Sequence, residues 1–219
     1  MLYASLNNEK IEAITKTRAL CPLCEKEVFS KCGEVNVWHW AHLKQESCDK
    51  WYEPESQWHK DWKSQFGNER SEIIITKEGE KHIADIQTKE NVVIELQNSP
   101  IPKPIIRKRE LFYGERMLWV VNGISFKDNF DIRPDFRYRL YKTTNQGLIH
   151  KITGEAPPAD YLESFYWKWC RKSWDEARRP IFIDFGGKNL FWVKEGMGTF
   201  SGRGKYVCKK KFLNKYLKL

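Results

Sequence analysis

No run of eighteen apolar residues occurs in this 219-residue chain, so nothing in it reads as a membrane-spanning helix. The opening segment, MLYASLNNEK, lacks the apolar stretch of a secretory signal, and the expected location is cytoplasmic, with no membrane partner. Internal repeats and low-complexity tracts are absent as well. The glycine-rich stretch 196–204 (GMGTFSGRG) has no Gly-Lys-Ser/Thr ending, which excludes a phosphate-binding loop and leaves a flexible connection. Acidic residues are missing from Arg203 onward, where seven Lys/Arg stand. The net charge of +9 is therefore mostly a property of a basic tail, which reads either as a solvated end or as a phosphate-backbone contact.

What is present suffices for a core: 41% apolar residues, 14% aromatics and ten tryptophans argue against disorder. The length suits one ordinary domain with a small satellite module. Six cysteines in a chain expected to be cytoplasmic point to metal binding or free thiols before disulfides. Cys21-Pro-Leu-Cys24 has the spacing by which two thiolates grip one ion from a tight turn, and Cys32, His39, His42 and Cys48 follow closely. We expect a structural zinc ion held by Cys21, Cys24, His42 and Cys48, with His39 as the competing histidine. Cys32, just before Gly33, falls in an expected hairpin turn and is left out. Four protein ligands leave no open position, so such a site would not be catalytic.

The most telling stretch is KHIADIQTKENVVIELQ, residues 81–97, which reads as a hairpin around a polar turn. With Asn91 in the left-handed region, the register sets Asp85 opposite Glu95. Like charges across a strand pair repel, so the two carboxylates need a counter-charge, and Mg²⁺ with one or two carboxylates fits. The bland alternative is the solvated face of an ordinary hairpin. Before it, 53–66 reads as a helix with Pro54 in its first turn and Trp58, Trp62 and Phe66 as an apolar stripe. Glu55, His59 and Lys63 form a second stripe, either solvated or facing the hairpin carboxylates. A further strand is expected at 73–76. A helix is expected over 103–113, carrying Lys103, Arg107, Lys108 and Arg109, with Tyr113 on the Arg109 face; apolar 117–121 reads as a buried strand. Helix, three strands, helix, strand describes a compact α/β core.

Beyond it, hairpins are expected at 136–142/147–152 and 181–185/190–193, and a helix over 160–179 with a stripe of Leu162, Phe165, Trp169, Trp174 and Ala177. The chain thus divides into an N-terminal hairpin and zinc module (1–50), an α/β core (51–123), and a C-terminal α+β region with the basic tail (124–219).

Taken together, Cys21/Cys24, His39-Trp-Ala-His42 with Cys48, Glu55-Ser56 with His59 and Lys63, Ala84-Asp85, Glu95-Leu96-Gln97, Ser99, and Arg109 with Tyr113 resemble the CoiA-like competence protein family, a branch of the PD-(D/E)XK nuclease superfamily. The resemblance covers Cys21 to about Gly123. It implies an N-terminal zinc module on a restriction-endonuclease-like core, and a metal-dependent DNA nuclease serving uptake, recombination or defence, alone or within a larger DNA-processing complex. It implies that Asp85 and Glu95 hold Mg²⁺ or Mn²⁺, with Glu55 in support and Gln97 where most of the superfamily has lysine. A glutamine orients water but cannot offset charge, and Lys63 is the candidate replacement. Lys103, Arg107, Arg109 and Tyr113 would hold the phosphodiester substrate. The position two before Asp85, often arginine in the family, is Ile83. If Gln97 disables the site, the alternative is an inactive nucleic-acid-binding or accessory protein with a structural zinc.

Overall fold

The structure, a computed structural model, describes residues 1–43, 48–133 and 161–218. The hairpin expected at 136–142/147–152 lies outside these residues. Asn7 and Asn8 take φ values of 53° and 66°, the left-handed pair that a two-residue hairpin turn needs and asparagine tolerates. They join β1 (Tyr3–Leu6) to β2 (Glu9–Glu12). With β3 (Arg18–Leu20), β4 (Glu27–Lys31) and β5 (His39–His42) they make an antiparallel sheet in the order β2-β1-β3-β4-β5. Its small core gathers Ala4, Ala19, Val28 and Trp40 around Cys21.

Next come α1 (Gln57–Ser64), β6 (Ser71–Lys77), β7 (Glu80–Gln87), β8 (Val93–Gln97), α2 (Lys103–Tyr113) and β9 (Met117–Asn122), the order expected from the sequence. Helix α1 starts later than the expected 53–66 span. The Ser56 hydroxyl accepts the His59 N–H while the His59 ring accepts the Ser56 N–H, so the cap sits at Ser56 and Glu53–Glu55 stay extended-side of it. β8 and β9 pair in parallel. Their apolar residues alternate between two cores, Val93, Met117, Trp119 and Val121 on one side and Ile94, Leu96, Leu118 and Val120 on the other. That is why 117–121 reads apolar without alternation.

The remaining strands, β10 (Phe130–Arg133), β11 (Glu163–Trp167), β12 (Ile181–Asp184), β13 (Asn189–Glu195) and β14 (Ser201–Cys208), continue the same sheet. The nine strands run β10-β11-β14-β13-β12-β9-β8-β7-β6. Helices α1 and α3 (Lys209–Lys218) cover one face through Trp62, Phe212 and Tyr216, with Phe66 just past the end of α1; α2 covers the other through Ile106, beside Trp174 of a 3-10 turn. The molecule is thus a mixed α/β fold with two sheets.

Two expectations fail here. The helix over 160–179 is, within the described residues, strand β11 followed by the 3-10 helix Lys172–Glu176. Glu163, Phe165 and Trp167 turn inward with a period of two, and pairing with β10 and β14 decides between two periodicities that the dense aromatics both satisfy. The stretch 196–204 is no flexible connection, since Ser201–Gly204 belongs to β14. A Cβ on Gly202 would stand 2.1 Å from the Glu195 carbonyl, and one on Gly204 2.5 Å from that of Trp192. These glycines permit close packing, and the basic tail is a built strand and helix.

Candidate metal centres

The first centre is the Cys/His cluster. Cys21 follows β3 and opens a tight turn, where Glu25 at φ 60° donates its N–H to the Cys21 carbonyl. Burial pushes the Cys21 thiol up, and the N–H groups of Leu23 and Cys24, which the turn points at it, offset only part of that rise. β5 brings His42 to the turn, and Cys48 closes the set. One ligand atom from each of Cys21, Cys24, His42 and Cys48 lies within 4.8 Å of all the others. Cys21 Sγ stands 3.5 Å from Cys48 Sγ, and Cys24 Sγ stands 3.3 Å from His42 Nε2. Burial and the neighbouring Cys21 push the Cys48 thiol far up, while burial lowers His42 and keeps it neutral. Crowded thiols with a neutral imidazole are a donor set that a dication such as Zn²⁺ fits. His39 and Cys32 both stand outside the cluster, and His39 Nδ1 faces the Val37 carbonyl at 2.8 Å.

The second is a carboxylate pocket. Asn91 has φ 57°, and the ladder Gln87↔Val93, Ile86↔Ile94 fixes the expected register. Past Ile86 the strands stop pairing: the Asp85 carboxylate takes the Leu96 N–H at 2.9 Å, and Glu95 Oε1 faces the Asp85 N–H at 3.4 Å. On the other edge of β7, Glu72 takes φ 49°, between the pairs Ser71↔Ile86 and Ile73↔Ala84. A left-handed glutamate costs about 1–2 kcal/mol, offset here by what its side chain holds. Glu72 accepts the N–H groups of Leu2 (2.7 Å) and Tyr3 (3.0 Å) and the Lys63 ammonium (2.9 Å).

Lys63 also reaches Glu55 at 2.8 Å and Asp85 at 3.1 Å, so the second stripe of α1 does face the hairpin carboxylates. Arg109 of α2 holds Glu95 Oε2 at 2.8 Å. Six carboxylates (Asp49, Glu53, Glu55, Glu72, Asp85 and Glu95) line the pocket against Lys63 and Arg109. Burial raises Glu55 and Glu95 to about 7, further pushed by Glu72 and Asp85 respectively, despite the cations beside them. Among the described residues Glu55 Oε2 is buried without a hydrogen-bond partner. About 60 Å³ of space remains, enough for an ion and a few waters at about 10–15 Å³ each. The pocket thus carries more carboxylates than Lys and Arg side chains and one orphan carboxylate oxygen, with the Lys63 ammonium among them; among the described residues only the Cys/His cluster brings three or more ligand atoms close enough together to hold an ion.

Other residues expected at this site are placed differently. Gln97 is buried and donates its amide to Glu53 Oε2 (2.9 Å) and the Ser99 carbonyl (3.0 Å), outside the pocket lining. Tyr113 stays beside Glu95, its hydroxyl raised well above the usual range by burial and without a partner among the described residues. Arg107 is exposed on α2, and Lys103 is engaged by Asp175 at 2.7 Å. His59 is structural: burial lowers its pKa, and its Nε2 faces the Leu96 carbonyl at 3.3 Å. The sequence reading missed Asp49, Glu53 and Glu72. Glu53 accepts the N–H groups of Asn98 (3.3 Å) and Ser99 (2.5 Å), capping the end of β8. No spacing marks these three, since each acts across more than thirty residues of chain or through one unusual φ.

Among the described residues no helix is long and apolar enough to cross a membrane. No curated protein and no solved structure matches the chain. Residues 3–50, the segment that carries all four zinc-ligand candidates, match the family model described as Competence protein CoiA, N-terminal domain, and are in that respect similar to CoiA competence proteins.

Proposed function

We propose that this chain is a Mg²⁺- or Mn²⁺-dependent deoxyribonuclease with a PD-(D/E)XK-type core, acting in competence-linked DNA processing. The observation that carries the reading is the meeting of Glu55, Asp85 and Glu95, from three separate segments, in one small pocket with excess negative charge. The family match at 3–50 and the element order from α1 to β9 support it.

In this reading Asp85 and Glu95 hold the cation, and the unpartnered oxygen of Glu55 adds a third donor. Glu72 stays committed to Lys63 and the backbone of β1. Lys63 balances the charge of Glu55, Glu72 and Asp85, and Arg109 orients Glu95. A bound divalent ion supplies activation of a water and stabilisation of the departing oxygen. Exposed Arg107 and Lys108 on α2 grip neighbouring phosphates without reading sequence.

A second reading, an inactive nucleic-acid-binding protein, draws on the Gln97 amide, which is spent on Glu53 and the Ser99 carbonyl and brings no cation to the pocket. Incubating zinc-loaded protein with single-stranded, duplex and branched DNA plus Mg²⁺ or Mn²⁺ separates the two. Cleavage by the wild type is expected to fall by roughly a hundredfold or more in Asp85→Asn and Glu95→Gln, the scale of losing a preorganised charge-stabilising group, with DNA binding retained. Binding without cleavage by the wild type in either metal would establish the second reading instead.

A further inference from the structure

One short segment joins the two centres. Cys48 belongs to the thiolate cluster, and the next residue, Asp49, reaches into the wall of the carboxylate pocket. Asp49 is buried, and its oxygens are taken. Oδ2 accepts the Ile83 N–H at 2.9 Å, while Oδ1 accepts the Trp51 N–H and His82 Nδ1–H, both at 2.9 Å. Ile83 lies two residues before Asp85, beyond the point where β7 stops pairing with β8. Asp49 therefore serves as the acceptor that the departing strand would otherwise provide. Trp51 makes the second connection. Its ring stacks on His82 at 3.3 Å between centroids and 9° between planes. Its carbonyl accepts from Arg109, whose other terminal nitrogen holds Glu95. From one zinc-ligand candidate, then, two chains of contact run, one to the strand of Asp85 and one to Glu95.

We propose that Asp49 is a positioning residue that couples the zinc cluster to the carboxylate pair, so that the affinity of Asp85 and Glu95 for a divalent cation depends on zinc at Cys48. Its saturated carboxylate is not itself a ligand. Zinc fixes the chain at Cys48; Asp49 then fixes Ile83 and, through Trp51, the guanidinium that orients Glu95. The inference rests on the metal-pocket reading above, and the test separates the two.

Zinc-loaded protein is titrated with Mn²⁺, and free Mn²⁺ is followed by electron paramagnetic resonance, with zinc content and thermal unfolding measured on the same samples. Asp49→Ala is expected to weaken Mn²⁺ binding about 10–100-fold, the range for outer residues that orient metal ligands, with one zinc retained and the unfolding temperature lowered, because three donors lose their acceptor. Asp49→Asn, which keeps an acceptor for Ile83, recovers part of the loss. His82→Phe keeps the ring stacked on Trp51 and leaves the Asp49 carboxylate in place, removing only the His82 donor to it; it weakens Mn²⁺ in the same direction should Asp49→Ala fold poorly. Cys48→Ser costs the wild type Mn²⁺ affinity but costs Asp49→Ala no more, the non-additivity of a shared route. Unchanged Mn²⁺ affinity in Asp49→Ala or His82→Phe overturns the coupling alone. Mn²⁺ uptake that is absent from the wild type, or indifferent to Asp85→Asn, overturns the metal pocket and the coupling with it.

Discussion

Lys63 is 1% exposed and meets carboxylates on three sides, whereas Lys60, one turn away, shares a solvent-exposed pair with Glu12 at 2.8 Å. Burial decides which of the two matters. Lys63→Met leaves Glu55, Glu72 and Asp85 without their shared cation, and we expect a loss of about 3–5 kcal/mol, the cost of breaking a buried pair. Lys60→Ala is expected to cost less than about 1 kcal/mol, and urea denaturation of both variants measures the contrast. How much of this was legible differs between residues. Asp85 facing Glu95 could be read from the sequence because a hairpin register is local, set by Asn91. That Lys63 faces the pocket could be posed but not decided, because its partners Glu72 and Asp85 arrive from other strands. Glu72 and Asp49 could not be read at all: one bonds Leu2, seventy residues away, and the other Ile83.

At the scale of elements, the legible parts are those whose signals agree. Helix α2 and the turn after β12 follow from proline and glycine placement, and β9 from a run too short for a helix. Strand β11 is hidden from the sequence because its aromatics fit both a helical and an alternating period, and pairing with β10 and the distant β14 breaks the tie. β14 was misread because its glycines answer to tertiary packing. Gly202→Ala would press a methyl group against the Glu195 carbonyl and the Phe165 ring. We expect it to cost about 1–3 kcal/mol, as overpacking does, visible as a lowered unfolding temperature. Asp184 is a similar case of an element held from afar. Its carboxylate takes the indole N–H groups of Trp58 (3.1 Å) and Trp62 (2.8 Å) and the Lys209 ammonium (2.7 Å), pinning α1 and α3 to β12.

Across the whole molecule, the Cys/His cluster that could bind zinc sits on a five-stranded sheet whose core is small. A unit of about 40 residues seldom folds on hydrophobic burial alone, so metal binding there is folding free energy. Treatment with a strong zinc chelator, or Cys24→Ser, is expected to produce a separate low-temperature unfolding step assigned to residues 3–50, followed by calorimetry alongside zinc content. Persistence of a single transition at the wild-type temperature after complete zinc removal would contradict this. The strand order carries one more consequence, for how the protein is made. Among the described residues, β10 and β11 join the rest of the sheet through β14, which comes after β12 and β13 in the chain. During synthesis at about 5–20 residues per second, the segment from β6 to β9 can assemble early. The β10–β11 pair must wait with an open edge until β14 emerges between it and β13. A ribosome that stalls before residue 201 therefore holds a nascent chain with its carboxylate cluster gathered and an unfinished sheet exposed to chaperones.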